Sequence, residues 1–333
     1  MLANAAGCHI TGRWQGVGIK VYFVIQRGRV RVATSTETIH STAKRADTAY
    51  KTNPWGTILF YIGEVLLWIL LIGMAIFEFA PISWIFATSL RPPADSFKLP
   101  PYFWPTSFEW QNYVEVINSP QIAFLNFFTN SLKVAIVVTI GQLVTCSMAA
   151  FAFARLRFPG RDLIFFTFLA SLMVPGTVIL IPTFILVRSL GLMDSHWALI
   201  LPALTSAFGV FLMRQQFMSL PSELMDAAKI DGAGFFRIYW QIMLPLTGPG
   251  LSALGIFTFL ASWNNFLGPL LFLRSWDKYT FPIAIINLQG YMGTGDRSQV
   301  LAVVMISILP TLIFFLVAQR FVIRGIALTG LKG

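Results

Sequence analysis

Hydrophobic residues run through this chain of 333 residues in six long blocks, at about 57–80, 130–154, 162–187, 197–218, 249–273 and 299–319. Each is near or above the roughly 20 residues that a helix needs to cross a bilayer. Helices are the expected form, because lipid offers no partner to a free peptide group. The pattern predicts an all-α integral membrane protein with six transmembrane helices. The first block, "TILFYIGEVLLWILLIGMAIFEFA", holds Glu64 and Glu78, one near each end, which suits carboxylates at the membrane interface rather than at its centre. The third contains "MVPGTVILIP", where Pro175 and Pro182 are expected to kink or interrupt the helix. Such breaks suit a segment lining a path that opens and closes.

Composition supports this reading. The chain is 56% hydrophobic and 11% charged, whereas soluble domains carry about a quarter charged residues. The net charge of +10 does not point to nucleic acid, because eight basic residues lie in the first 57 positions against only Glu37 and Asp47. With the amino terminus inside, the inner stretches close to the spans hold twelve Lys and Arg, among them Lys44, Arg45, Arg155, Arg157, Arg214 and Arg320, and the outer loops hold six. This asymmetry predicts a multi-pass protein of a prokaryotic cytoplasmic membrane with both termini in the cytoplasm. Cys8 and Cys146 form neither a metal spacing nor a disulfide framework. Cys146 sits in an apolar run and reads as a small buried residue.

Residues 1–55 show no sustained period, and "VGIKVYFVI" is too short to span a bilayer and lacks a nearby cleavage pattern. They read as a disordered cytoplasmic amino-terminal extension, or as the product of a misassigned upstream start. The membrane domain is 56–333. Its outer loops are 91–126, 188–196 and 274–298; the first and last carry aromatic or apolar residues of their own and are long enough to dock on something.

One polar stretch stands apart: "SELMDAAKIDGAGFFRIYWQIMLP", residues 222–245, within a cytoplasmic loop spanning 219–245. Pro221 suits a first helical turn with Ser219 or Ser222 as cap, and Glu223 and Asp226 lie near the positive end of the helix dipole. Leu224, Ala227, Ala228 and Asp231 share one face. Gly232 and Gly234 stop the helix, and a second short helix from Phe235, with Ile238 and Ile242 a turn apart, closes at Pro245. The expected result is a small-faced helix lying under the spans, where alanines let another surface approach the backbone.

This stretch resembles the cytoplasmic EAA loop of the permease subunits of binding-protein-dependent ABC importers. Asp226-Ala227-Ala228, three residues, Gly232, nine residues, then Ile242, Leu244 and Pro245 follow the family spacing, with Asp in place of the usual Glu. "SLRPPADSF" (89–97), "AFAFARLRFPGRD" (150–162), "WNNFLGPLLFL" (263–273) and "LPTLIFFLVAQRFVIRGIALTGLKG" (309–333) are similar, in this order, to carbohydrate permeases of the maltose type. The resemblance covers about 56–333 and implies the type I ABC importer permease fold. It also implies a second permease subunit, two ATP-binding subunits that bind ATP and Mg, and an extracytoplasmic sugar-binding protein. Glu223, Asp226, Ala227, Ala228, Asp231, Gly232, Ile242, Leu244 and Pro245 would then couple the pore to the ATPase. Gln289, Gly290 and Tyr291 fall where family members of this type reach into the binding protein.

The chain has no GxxxxGK[ST] loop, so it is expected to be a transport subunit rather than an enzyme, with no cofactor of its own. Trp263, Asn264 and Asn265 offer an indole and two amides to a hydroxylated solute, and serve equally well for packing and interhelical bonds. Asn126 and Asn130 carry the same two readings. A permease of the same class for glycerol phosphate compounds, polyols or another small solute remains an alternative. A secondary transporter would be expected to show repeated interrupted helices and central charges, which are not evident.

Overall fold

The computed structural model describes residues 10–11, 22–26, 29–33, 54–95, 103–118, 123–291 and 297–329, with side chains over 58–92, 94–95, 103–118, 123–286 and 297–319. The chain divides into two units, 1–80 and 81–333. In the first, helix α1 (Pro54–Ser89) begins. Every described side chain from Ile58 to Phe79 is exposed, Glu64 and Glu78 included. Such an apolar circumference suits lipid. The extension expected to be disordered contains three antiparallel strands, β1 (Ile10–Thr11), β2 (Tyr22–Gln26) and β3 (Arg29–Ala33), with Tyr22 opposite Ala33 and Gln26 opposite Arg29. Strand β3 alternates arginine and valine, the period of a strand, and the sequence reading missed it.

The second unit is built on α3 (Phe124–Arg155), a helix of 32 residues and so about 48 Å long. Phe127, Ser131, Val134, Val138, Cys146 and Ala150 are buried at spacings of three, four or eight residues, the stripe of a helix packed on more than one neighbour. Those neighbours are α7 (Ala207–Met218) and α10 (Gly248–Trp263), and α10 packs in turn on α13 (Arg297–Thr329). Gly209 on α7 permits the close approach: a Cβ there would lie 2.9 Å from the Cys146 sulfur and 3.0 Å from Leu254 Cδ1.

Among the described residues, three helices are long and apolar enough to cross a membrane unbroken, Ile58–Ser89, Phe124–Arg155 and Arg297–Gln319. The count reaches six if each of three bent pairs is one span. The block at 162–187 is one such pair: α4 (Arg161–Ala170), with a 3-10 turn Ser171–Met173, meets α5 (Gly176–Ser189) at 105°. The break falls at Pro175, whose ring cannot continue the preceding helix; Pro182 sits inside α5 without ending it. The block at 197–218 is α6 (Trp197–Ile200), the turn Leu201–Ala203 and α7, bent by 41°. The block expected at 249–273 stops at Trp263 and resumes as α11 (Leu267–Phe272).

Two expected loops hold helices of their own. Within 91–126 lies α2 (Gln111–Asn118), whose buried Asn112 donates its amide to the Ser89 and Arg91 carbonyls at 2.9 Å each. Within 274–298 lies α12 (Phe281–Tyr291), the apolar patch of that loop. Asn130 donates to the Asp277 and Tyr279 carbonyls at 2.8 and 3.1 Å, and the Phe281 N–H donates to Ser131 Oγ at 2.7 Å. Asn130 thus fastens this segment to the first turns of α3.

Candidate coupling site

Helix α8 (Glu223–Ile230) forms where the sequence predicts it, with Glu223 and Asp226 in the first turn and Lys229 in the last. Both signs complement the helix dipole, and Lys229 pairs with Asp226 at 3.4 Å. The predicted cap is absent: Ser222 makes no side-chain capping bond, and Ser219 Oγ instead donates to the Gln216 carbonyl, closing α7. Termination follows the glycine. Gly232 adopts φ +77°, its N–H donates to the Lys229 carbonyl, and the Ala233 N–H donates to the Ala228 carbonyl, both at 2.9 Å. This is the Schellman arrangement, which needs a left-handed residue. A Cβ at Gly232 would meet nothing within 4 Å, so the glycine is required by backbone conformation and not by crowding inside the chain.

The alanine pair is split. Ala227 is exposed, but Ala228 is buried with Met225. The expected face of Leu224, Ala227, Ala228 and Asp231 is therefore corrected at one position. Met225 and Ala228, three apart, form the inward edge, and Glu223, Leu224, Asp226, Ala227, Ile230 and Asp231 form the outward one. Met225 and Ala228 belong to one core cluster with Cys146, Ala150 and Phe151 of α3, Phe165 of α4, Val210, Met213 and Phe217 of α7, and Leu254 of α10.

The segment after Gly234 is α9 (Phe235–Leu246), whose middle, Ile238–Met243, is a π-helical turn. Pro245 explains the widening. It has no N–H and its ring crowds the carbonyl four residues back, and the strain is taken up by a five-residue bond from the Leu244 N–H to the Tyr239 carbonyl. Pro245 does not close the helix, as the sequence suggested. It runs to Leu246 and turns through 80° into α10. Ile238, Tyr239 and Met243 are buried in the same cluster as Met225, while Ile242 and Leu244 pack at its edge and Pro245 is exposed.

Polar contacts complete the attachment. The Tyr239 and Ser147 hydroxyls lie 2.7 Å apart, and Ser147 also donates to the Leu143 and Val144 carbonyls, so its single proton is used there and Tyr239 is the donor. Arg155 at the end of α3 donates to the Phe217 carbonyl in the last turn of α7 and to the Leu220 carbonyl just beyond it, placing a cation at the negative pole of that helix. Sequence reasoning missed Met225, Tyr239 and Arg155. The first could have been found from its spacing to Ala228; the others pair with residues far along the chain.

The residues read as a solute path separate. Trp263 is buried, stacked 6.0 Å from Phe281, and donates its indole N–H to the Ser307 carbonyl at 3.1 Å; it packs helices together. Asn264 is exposed and bonds within its own helix, to the Leu260 carbonyl at 2.9 Å. Asn126 is exposed and Asn130 is taken up by the contacts above. Asn265 lines a cavity of about 360 Å³ together with Gln142, Ser206, Thr258, Ser262 and Phe257. Gln289, Gly290 and Tyr291 are described in backbone only, and residues 292–296 lie outside the described residues.

Spans broken at Pro175 and at Ala203–Ser206, with a surface helix sunk into their shared core, define a membrane transport permease. The chain belongs to the family described as "Binding-protein-dependent transport system inner membrane component", whose model matches residues 142–326. It is 36% identical over 274 residues to the "Arabinooligosaccharides transport system permease protein AraQ" of Halalkalibacterium halodurans, covering 81% of this chain and 98% of that one. It is 33% identical over 262 residues to the "sn-glycerol-3-phosphate transport system permease protein UgpE" of Yersinia pestis, covering 77% and 93%. Among solved structures, a chain of a bacterial ABC transporter involved in the import of the acidic polysaccharide alginate superposes with a TM-score of 0.68 at 24% identity, over 80% of this chain and 98% of that one. That likeness speaks to the fold alone.

Proposed function

We propose that this chain is one permease subunit of an ATP-driven importer of a neutral carbohydrate, working beside a second permease, with the outward edge of α8 seated in a groove on one of two separate ATP-binding subunits. One observation carries the reading: the inward edge of α8 and the buried side of α9 share a single apolar core with α3, α4, α7 and α10. A partner that moves α8 therefore moves the spans with it. ATP and Mg are bound by the partner subunits. Both termini and residues 219–245 face the cytoplasm, and an extracytoplasmic binding protein delivers solute near residues 274–298.

The cavity supports a sugar over a phosphorylated solute. Its wall is polar without charge: Gln142, Ser206 and Thr258, bonded to one another, and Ser262 and Asn265, beside Phe208 and Phe257, with no charged side chain in the lining. Amides and hydroxyls bond sugar hydroxyls and aromatic rings stack on sugar faces, whereas a phosphate calls for cations.

The test uses Ala227→Cys in assembled, active membranes. Cross-linking is expected to capture an ATP-binding subunit, and failure to do so would remove the coupling assignment. Uptake by cells lacking this gene separates the substrates. Loss of labelled arabino-oligosaccharide uptake with sn-glycerol 3-phosphate uptake intact is expected, and the reverse result would favour the phosphate reading.

A further inference from the structure

Between the turn Leu201–Ala203 and the start of α7 at Ala207, the backbone has left the helix, so its carbonyls need partners from elsewhere. Helix α3 supplies them. Gln142 donates its amide to the Ala203 carbonyl at 2.8 Å, and the Thr145 hydroxyl donates to the Leu204 carbonyl. The Gln142 side-chain oxygen accepts two further bonds, from Ser206 Oγ at 3.1 Å and from Thr258 Oγ1 at 3.0 Å. Ser206 Oγ accepts in turn from the Gly209 N–H at 3.0 Å, capping α7. One amide thus holds both sides of the break in the 197–218 span and the middle of α10, where Thr258 is buried.

Thr258 is ten residues beyond Gly248, about 15 Å up the helix that leaves the coupling segment. Building on the function proposed above, we infer that Gln142 is a positioning residue of the transport cycle: it makes the Ala203–Ser206 break follow α10 when the coupling segment moves, and so reshapes the cavity that Gln142 and Ser206 line. Apolar contacts alone would let α10 slide past the break. The two hydroxyl bonds to one oxygen, opposed by the amide bond to the broken backbone, join three elements at one point. None of these bonds is required to hold α8 to the spans.

The experiment uses the complete transporter in nanodiscs, with spin labels at Leu201→Cys beside the break and Asn264→Cys at the end of α10, both exposed positions. The probe is ATP with orthovanadate, so no solute need be known. The label separation is expected to be the same in the nucleotide-free and trapped states of the parent, because the two elements move as one body. Gln142→Leu and Thr258→Val are each expected to abolish this constancy, giving a separation that shifts or broadens on trapping. The double variant should go no further than either alone, since both remove the same link. A parent separation that changes as much as in the variants, variants that behave as the parent does, or additive effects would overturn the inference. Thr258→Val nearly preserves side-chain volume and carries the test if Gln142→Leu does not assemble. The Ala227 cross-link is independent of these labels, so its failure identifies a fault in the coupling reading instead.

Discussion

Both ends of α3 are packed in apolar clusters, Phe124 and Phe127 with Phe281 and Ala284 at the amino-terminal end, and they differ in how much directed polar contact is added to that packing. The carboxyl-terminal end, from Cys146 to Phe151, lies in an apolar cluster with α8 and α9. The amino-terminal end is also held by Asn130 and Ser131 to the segment 277–281, which is itself fastened by Asp194. Asp194, at φ +56°, accepts the Arg274 and Ser275 N–H groups on one oxygen, both at 2.9 Å, and the Ser275 hydroxyl and the Lys278 ammonium on the other, at 2.5 and 3.0 Å. The Lys278 ammonium also reaches the Asp194 carbonyl at 2.8 Å, and the His196 Nε2–H donates to the Lys278 carbonyl at 2.9 Å. Apolar contact has no preferred direction and survives small rotations. Hydrogen bonds weaken steeply once misaligned. The end that meets α8 and α9 is thus a joint, and the opposite end a clasp.

The joint is best broken by overfilling it. Ala228 is 5% exposed and faces Met225 and the α3–α7 core, so Ala228→Trp has no room and is expected to cost at least about 1–3 kcal/mol. The readout is the Ala227 cross-link together with ATP-dependent uptake, both expected to be lost. Retention of both would show that α8 is not seated in the core. Gly232 is a contrasting site, since a side chain there meets open space within this chain and only the left-handed backbone is at stake.

The clasp comes next. Asp194→Ala removes the acceptor of four hydrogen bonds and is expected to destabilise the folded protein by roughly 2–3 kcal/mol, read as a lower midpoint of thermal unfolding in detergent. Asp194→Asn keeps an acceptor for the two N–H groups but loses the charge facing Lys278, and should fall between. The Ser275 hydroxyl, followed by the Ser275 and Arg274 N–H groups, holds the Asp194 carboxyl well below the usual carboxylate range. A carboxylate depressed in this way contributes stability above its unfolded pKa of about 3.9 and loses it only as pH falls through the folded value. The contribution of the Asp194 carboxylate itself should therefore be flat between about pH 5 and 8. A titration of the midpoint in that range that disappears in Asp194→Ala would contradict the geometry.

The joint was far more legible in the sequence than the clasp. Asp226, Ala227, Gly232 and Pro245 sit close together, and their effects are local: a dipole, a left-handed stop, a missing N–H. The same locality located the break at Pro175. The clasp joins Asp194 to residues eighty positions on, and Gln142 meets Thr258 across 116; no periodicity records such pairings. The α6–α7 break was hidden for a related reason. Its carbonyls are satisfied by a different helix, so the local sequence needed no glycine to permit it. Trp263 shows the converse failure, because an indole next to two asparagines suggests solute chemistry until its N–H is seen on the Ser307 carbonyl.

The smallest effect draws the comparison most sharply. Tyr239 places a hydrogen bond inside the apolar joint, donating to Ser147 Oγ at 2.7 Å. Tyr239→Phe removes that bond, yet Ser147 keeps a carbonyl acceptor for its proton, so no buried donor is left stranded. The ring stays packed 5.4 Å from that of Phe151. The loss should be about 1 kcal/mol, a shift of a few degrees at most in the unfolding midpoint, with uptake largely retained. If this single hydroxyl instead proved as necessary for uptake as the room around Ala228, the joint would be registered by direction, as the clasp is, and the π-helical turn that carries Tyr239 would be the part that must stay aligned.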